Sequence, residues 1–140
     1  MRDIKYRIWH KPTKTMQQVA VISFVNGYVD TFGSKLYPEP IYGIPFDEIE
    51  LMQYCGFNDI KNNYAYENDI IRIDHFIDAR NKKHYLYKQI SWSECRGMFI
   101  FKHLDGLGTD GAAVSFIFES QQYPIIAGNS LENPDLMEAK

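Results

Sequence analysis

Three acidic residues stand close together near the middle of the chain, at Glu67, Asp69 and Asp74. Hard divalent cations prefer several oxygen ligands from neighbouring chain positions, so this group is a candidate metal site. Strand alternation argues against it, because Asp69 and Asp74 differ in parity and point to opposite faces of an extended strand. The alternative is that Glu67 and Asp69 accept hydrogen bonds from backbone amides in the turn that precedes the strand. The sequence favours this structural role, and we expect no bound metal.

Histidines, cysteines and glycines offer no stronger chemistry. The histidines show neither HxxxH nor HExxH spacing, although a hairpin could bring His75 and His84 together. Cys55 and Cys95 form no CxxC pair, and neither has an identifiable activating base. The Gly-rich stretch at residues 104–113 lacks the Lys-Ser/Thr of a phosphate-binding loop and is typical of a mobile connection. We expect no cofactor and a protein that is not an enzyme; a metal-dependent enzyme built on Glu67, Asp69 and Glu94 is the weakest alternative.

Charge argues mildly against nucleic-acid binding as the main task. The formal net charge is −3 with basic residues spread among acidic ones, whereas contact with phosphates needs clustered positive charge. A short basic run at residues 80–84 is typical of a solvated turn. Binding of nucleic acid is kept as an alternative, in which aromatic rings and three basic side chains share one strand face: Arg72, Lys88 and Lys102. Four rings could stack on bases, although core packing is their more common role: Trp9, Trp92, Tyr6 and Tyr54.

Short β-strands would position these groups. Apolar runs bounded by turn residues predict strands within residues 4–9, 18–25, 28–32, 69–75, 85–92, 98–103, 114–118 and 123–127. Residues 18–25 are apolar at nearly every position, which predicts a strand covered on both faces. Asn26-Gly27 after that run predicts a two-residue type I′ hairpin turn. The sequence therefore indicates a β-rich protein.

Helical structure is expected in two short places. Residues 46–54 predict one or two helical turns with Asp47 and Glu50 as a capping box, and a strand is the competing prediction. Asn133 followed by Pro134 predicts a terminal helical turn. The predicted class is mainly β, or β-rich α+β, as a barrel-like or sandwich arrangement of short antiparallel strands with one or two short helical turns.

Length and hydropathy predict a single domain over residues 1–140, with possible subregions at 1–60 and 61–140. The N-terminus has no long apolar segment typical of a signal peptide. No apolar run approaches the roughly 20 residues needed to span a bilayer. We therefore expect a cytoplasmic protein without a membrane partner.

Three segments resemble, in order, the motifs of the YopX family, small proteins carried by bacteriophages and prophages. The first is Lys5-Tyr6-Arg7-Ile8-Trp9, the second runs from Gln53 to Ile71, and the third is Gly128-Asn129 followed by Glu132-Asn133-Pro134. Together they frame almost the whole chain. The residues that carry the resemblance, and that we take as the family-motif candidates, are Trp9, Gln53, Tyr54, Gly56, Asp59, Tyr66, Glu67, Asp69, Gly128, Asn129, Glu132, Asn133 and Pro134.

Departures from the family pattern are informative. Asn62 and Asn68 stand where the family usually has Gly, and Asn tolerates left-handed backbone angles better than other non-Gly residues. Cys55 replaces the usual Thr, which argues against hydroxyl chemistry there. The resemblance implies a phage- or prophage-encoded accessory protein in the host cytoplasm, without an established activity. We expect a protein-interaction module that has a protein partner or forms a homo-oligomer.

Overall fold

The computed structural model describes residues 2–33, 38–104, 113–118 and 123–137. Within them lie ten β-strands, one short α-helix and two 3-10 turns. The strands are β1 (Tyr6–His10), β2 (Thr15–Ser23), β3 (Tyr28–Gly33), β4 (Ile44–Pro45), β5 (Ile49–Asn58), β6 (Tyr64–Tyr66), β7 (Asp69–Ile77), β8 (Lys83–Ser93), β9 (Met98–His103) and β10 (Ile125–Asn129). The helix is α1 (Val114–Phe118), and the 3-10 turns are Phe46–Glu48 and Pro134–Met137. The predicted class, mainly β with short antiparallel strands and short helical turns, is confirmed.

The chain divides into two compact units, Met1–Tyr54 and Cys55–Lys140, and the division lies within β5. The predicted subregions, residues 1–60 and 61–140, place their boundary a few residues later. The single-domain organisation over residues 1–140 stays a prediction.

The N-terminal unit is an antiparallel sheet in the order β4-β3-β2-β1-β5. Ile8 of β1 pairs with Gln17 of β2 and Leu51 of β5, so β1 is a central strand. The core on this sheet is aliphatic and buried: Ile8, Val29, Ile44 and Ile49. Burial of such side chains stabilises a small sheet by roughly 1.5–3 kcal/mol each.

The C-terminal unit contains a second antiparallel sheet in the order β10-β7-β8-β9, and β6 lies next to the last part of β5. Strands β7 and β8 form its long central hairpin. The core combines aliphatic, aromatic and small side chains, all buried: Cys55, Ala65, Ile71, Ile73, Ile90, Phe101 and Val114.

One predicted strand is wrong: residues 114–118 form α1 instead. Val114 and Phe118 are four residues apart, so a helix brings both to one face. Val114 is buried in the core, and the ring of Phe118 stacks on Phe57 and on Phe101. Packing therefore overrides the β propensity of this apolar run.

The hairpin between β2 and β3 is present, but its predicted turn type is wrong. A four-residue loop, Phe24–Gly27, connects the strands, and the Gly27 amide donates to the Ser23 carbonyl at 2.8 Å. Only Gly27 in this loop has a positive φ, of 70°, whereas a type I′ turn needs two such residues. The predicted cover on both faces of β2 is also wrong, since Ala20 and Val21 are exposed.

Residues 46–54 satisfy both competing predictions in part, since a single 3-10 turn precedes β5. The predicted capping box is wrong: Pro45 is the N-cap and makes no side-chain hydrogen bond. The terminal helical turn is confirmed at Pro134–Met137. The closing strand begins at Ile125, two residues later than predicted. The Gly-rich stretch lies outside the described residues except for its ends.

Candidate functional site

The central motif begins with a loop that Asp59 organises from within. This residue is 6% exposed. Its Oδ1 accepts hydrogen bonds from the backbone amides of Lys61 and Asn63, both at 2.9 Å. Its Oδ2 accepts from the amide of Ile126 in β10 at 3.1 Å. Asn62 supplies the left-handed position with φ 64°, as the sequence predicts. Asp59 is thus a clamp between the 59–63 loop and β10.

The second part of the motif is the tight turn between β6 and β7. Asp69 Oδ2 accepts a hydrogen bond from the Tyr66 amide at 2.9 Å, which is the structural role predicted for it. Asn68 adopts φ 70°. Its amide donates to the Ile90 carbonyl and its carbonyl accepts from the Ser130 amide, at 2.9 and 3.0 Å. This turn therefore ties β7 to β8 and to the C-terminal segment.

The closing motif is a compact turn around Asn129. Asn129 Oδ1 accepts from the amides of Leu131 and Glu132 at 3.0 and 2.8 Å, and its Nδ2 donates to Glu132 Oε1 at 3.3 Å. Asn133 Oδ1 accepts a hydrogen bond from the Asn129 amide at 3.2 Å. A Cβ on Gly128 would lie 2.5 Å from Asn133 Oδ1, so this position admits no side chain without rearrangement. Pro134 begins the terminal 3-10 turn.

The opening motif lies on β1 and the residue before it, next to the first residues of the central motif on β5. Half-buried Trp9 pairs with Met16 and Glu50, and Tyr6 pairs with Gln53. The Tyr54 amide donates to the Lys5 carbonyl at 2.9 Å. Gly56 follows in β5 with φ 96°, a backbone conformation that favours glycine. These contacts fix β1 against β5.

The predicted aromatic platform does not form as one surface in the described structure. Tyr6 and Trp9 differ in parity along β1 and therefore point to opposite faces. Trp92 of β8 packs edge-on against Phe99 with 5.0 Å between ring centroids. These rings serve local packing.

The predicted basic strand face is divided by the pairing register. Arg72 lies opposite Tyr87, and Lys102 lies opposite Gln89, so both share one side of the sheet. Lys88 lies opposite Ile71 and points to the other side. The three basic side chains therefore do not share one face of the sheet. The sequence could not show this, because its pattern alone does not fix the register between strands.

The three acidic residues of the candidate metal site are also separated. Asp69 is buried with its carboxylate on the Tyr66 amide, whereas Asp74 is exposed opposite Tyr85. Glu67 is partly buried, and Glu94 is exposed in the β8–β9 loop. Among the residues that the structure describes, no three His, Cys, Asp or Glu side chains are placed to hold a metal ion.

Cys55 belongs to the core of the C-terminal unit. Burial raises the pKa of its thiol from 9.0 to about 11, so the thiol stays protonated at neutral pH. Its Sγ donates to the Phe57 carbonyl at 3.9 Å. Cys95 is exposed, with Sγ 3.4 Å from Ser93 Oγ. Cys55 is therefore a buried packing residue.

His10 ends a buried polar chain in the N-terminal unit. Its Nδ1 lies 2.7 Å from Thr13 Oγ1, which lies 2.8 Å from Thr15 Oγ1. Gln17 Nε2 donates to Thr15 Oγ1 at 3.0 Å, and the Nε2 of His10 lies 3.7 Å from Glu48. These contacts link the end of β1 to the start of β2, and they are a structural use of His10.

Sequence reasoning missed a second copy of the Asp59 loop. Residues 78–82 repeat its Asp-x-x-Asn pattern, with Asp78 Oδ1 accepting from the amides of Arg80 and Lys82 at 2.9 and 3.0 Å. Asn81 has φ 63°. The shared spacing of Asp59-Asn62 and Asp78-Asn81 is the signal that could have found it.

Two exposed surfaces among the described residues are relevant to function. In the N-terminal unit, an apolar tip consists of Phe24, Val25 and Phe46; Phe24 is 74% exposed and Val25 is 95% exposed. In the C-terminal unit, residues 74–84 form the end of the β7–β8 hairpin, and we call them the hairpin end. It contains a cavity of about 210 Å³ lined by Asp74, His75, Phe76, Ile77, Lys83 and His84.

Comparisons with known proteins agree with this architecture. A family model described as YopX protein matches residues 5–138. The crystal structure of protein EF1440 from Enterococcus faecalis is similar over 98% of this chain and 99% of that one, with a TM-score of 0.61 and 21% sequence identity. That likeness shows a shared fold. The comparison with curated proteins gave no significant match. Within the described ranges, no helix combines the length and hydropathy that crossing a membrane requires.

Proposed function

The chain belongs to the YopX family, and we propose that it is a phage- or prophage-encoded accessory protein of the host cytoplasm that acts without catalysis, by binding another protein. The observation that carries the proposal is the apolar tip. Val25 is 95% exposed and Phe24 is 74% exposed, and neighbouring exposed apolar side chains that form one patch mark interaction sites.

The tip is presented on a well-defined backbone. The Gly27 amide closes the loop onto Ser23, and the Asn26 amide donates to Ser23 Oγ at 3.2 Å. The Phe46 amide donates to the Gly27 carbonyl at 3.2 Å, and the rings of Phe24 and Phe46 meet edge-on at 6.2 Å. A surface that is ordered before binding loses less entropy when it binds.

The motif side chains also support a binding role over a catalytic one. Asp59, Asp69 and Asn129 accept hydrogen bonds from backbone amides in the C-terminal unit. Carboxylates and amides that hold turns in this way stabilise the fold. The motif therefore preserves the scaffold, and the exposed surfaces are left for recognition.

The test uses affinity capture from a lysate of a phage host, with the tagged full chain as bait. We expect a specific protein to be retained by the wild type and lost with Val25→Asp, because a carboxylate would have to be desolvated in the interface. Ile60→Asp is the matched control, since Ile60 is a similarly exposed aliphatic residue, at 53%, in the C-terminal unit.

Light scattering on the same variants measures self-association. A homo-oligomer that Val25→Asp dissociates would make a second copy the partner at the tip. Two results together would contradict the proposal. The wild type would be a strict monomer, and the wild type, Val25→Asp and Ile60→Asp would retain the same proteins from the lysate.

A further inference from the structure

We propose that the hairpin end binds single-stranded nucleic acid, with a base stacked on the Phe76 and His84 rings and phosphates held by Arg80, Lys82 and Lys83. This site is separate from the apolar tip and from the predicted basic strand face, and it stands independently of the proposed function. Its basic run includes residues that the sequence pattern assigned to a solvated turn.

Charge distinguishes this hairpin from the rest of the chain. Residues 74–84 contain three Lys or Arg and two Asp, a formal charge of +1, whereas the whole chain carries −3 and the other residues therefore −4. The basic side chains at the loop are exposed. A local positive region on an acidic protein orients a polyanion toward one surface.

Asp78 places the basic residues in a fixed loop. Its Oδ1 accepts from the amides of Arg80 and Lys82, and its own amide donates to the Lys82 carbonyl at 2.9 Å. Its Oδ2 lies 2.9 Å from His84 Nε2. The Asp78 charge is thus directed toward the loop backbone and the imidazole.

A pair of stacked aromatic rings adjoins this loop, and His75 packs edge-on against Phe76 with 4.9 Å between ring centroids. The rings of Phe76 and His84 are stacked with 4.3 Å between centroids and an interplanar angle of 9°, and Phe76 is 51% exposed. Exposed ring faces beside cations are the usual combination in single-strand binding, because every base has a π face. Asp74, which lines the cavity, can accept a hydrogen bond from a base N–H group, such as the N3–H of thymine or uracil.

The size of the cavity also fits a single base. Its volume is about 210 Å³, below the roughly 300–1,000 Å³ typical of sites that enclose a whole small molecule.

Fluorescence anisotropy with fluorescein-labelled dT20 and, separately, rU20 tests the proposal on the full chain at 50 mM NaCl. We expect binding whose affinity falls about 20-fold between 50 and 200 mM NaCl, from roughly three phosphate contacts on a single strand. The two arms show whether the sugar matters. No binding of either oligonucleotide at 50 mM NaCl would overturn the proposal.

Matched variants locate the site. Arg80→Gln with Lys82→Gln is expected to reduce the salt dependence by about two thirds, and Phe76→Ala to weaken binding about tenfold. Lys11→Gln with Lys61→Gln removes the same charge from exposed positions elsewhere, and Phe24→Ala removes an exposed ring from the other unit; both are expected to leave binding unchanged. Equal losses of dT20 affinity in these controls would contradict the assignment of the site. So would a competition experiment in which poly-glutamate displaces labelled dT20 as efficiently as unlabelled dT20 does.

Discussion

The loops at residues 59–63 and 78–82 have the same backbone conformation and hydrogen bonds, but they lie in different surroundings. In each, the first Asp amide donates to the carbonyl four residues later at 2.9 Å, and one carboxylate oxygen accepts two loop amides. Asn62 and Asn81 take the same left-handed conformation. The short pattern Asp-x-x-Asn therefore specifies the loop by itself.

The difference lies in the second carboxylate oxygen. In Asp59 it accepts from the Ile126 amide, a contact between chain positions far apart, and the residue is buried. In Asp78 it meets His84 on the adjacent strand, and the side chain is 28% exposed. The same local structure thus serves as a tertiary clamp in one place and as the support of an exposed basic surface in the other.

The largest expected effect is the loss of the buried clamp. Asp59→Ala leaves the amides of Lys61, Asn63 and Ile126 without their acceptor, and we expect the free energy of unfolding to fall by about 3 kcal/mol or more. Asp78→Ala, the matched change in the exposed loop, is expected to cost clearly less. Urea denaturation followed by tryptophan fluorescence measures both variants. Equal losses in the free energy of unfolding would contradict the difference between the buried and the exposed Asp.

Gly128→Ala tests whether the strand that receives the Asp59 clamp is as tightly fitted as the structure indicates. The new methyl group would meet Asn133 Oδ1 at 2.5 Å and Leu136 Cδ1 at 2.8 Å. We expect a loss of roughly 1–3 kcal/mol in the free energy of unfolding, as for other overpacked sites. Ala127→Ser, at the exposed neighbouring position, is the control, and the same urea titration decides. A Gly128→Ala protein as stable as the control would contradict the close fit.

Asn62→Ala and Asn81→Ala test whether the local pattern alone determines the loop conformation. If it does, the two loops should lose the same stability. Both positions have a φ near +64°, and placing Ala in the left-handed region costs roughly 1 kcal/mol. We expect both variants to lose this amount in the free energy of unfolding, regardless of burial. A large difference between them would mean that surroundings, and not the local pattern, determine the loop.

The smallest effect is a pH response confined to the exposed loop. The hydrogen bond with His84 and that from the Lys82 amide hold the pKa of Asp78 below its ordinary value of 3.8. A lowered folded-state pKa stabilises the loop above pH 3.8, and this contribution is lost as pH falls through the folded value. We expect the protection factor of the Lys82 amide in hydrogen exchange to fall in that acidic range. Asp78→Asn should remove this dependence, and its persistence would assign it to another group.

Local patterns predicted much of the fold and of the motif. Asn62 and Asn68 are left-handed as the sequence indicates, and Asp69 accepts a turn amide, because these features depend on a few adjacent residues. The helix at Val114–Phe118 was missed because its conformation follows from contacts with Phe57 and Phe101. Nearby sequence does not encode such contacts.

The candidate surfaces were harder to predict for the same reason. Arg72, Lys88 and Lys102 are separated by the pairing register, which depends on both strands. The Phe76–His84 stack depends on the register shift between Asp74 and Phe76 in β7. Exposure of Phe24 and Val25 follows from the four-residue loop that replaced the predicted two-residue turn.

The motif residues build the scaffold, and we propose that an exposed surface makes the contact with a partner. Photo-crosslinking tests it most directly, with p-benzoylphenylalanine placed either at Val25 in the apolar tip or at exposed Asp135 beside the closing motif. We expect a discrete protein adduct from position 25 in phage-host lysate and none from position 135. An adduct from position 135, with none from position 25, would contradict it.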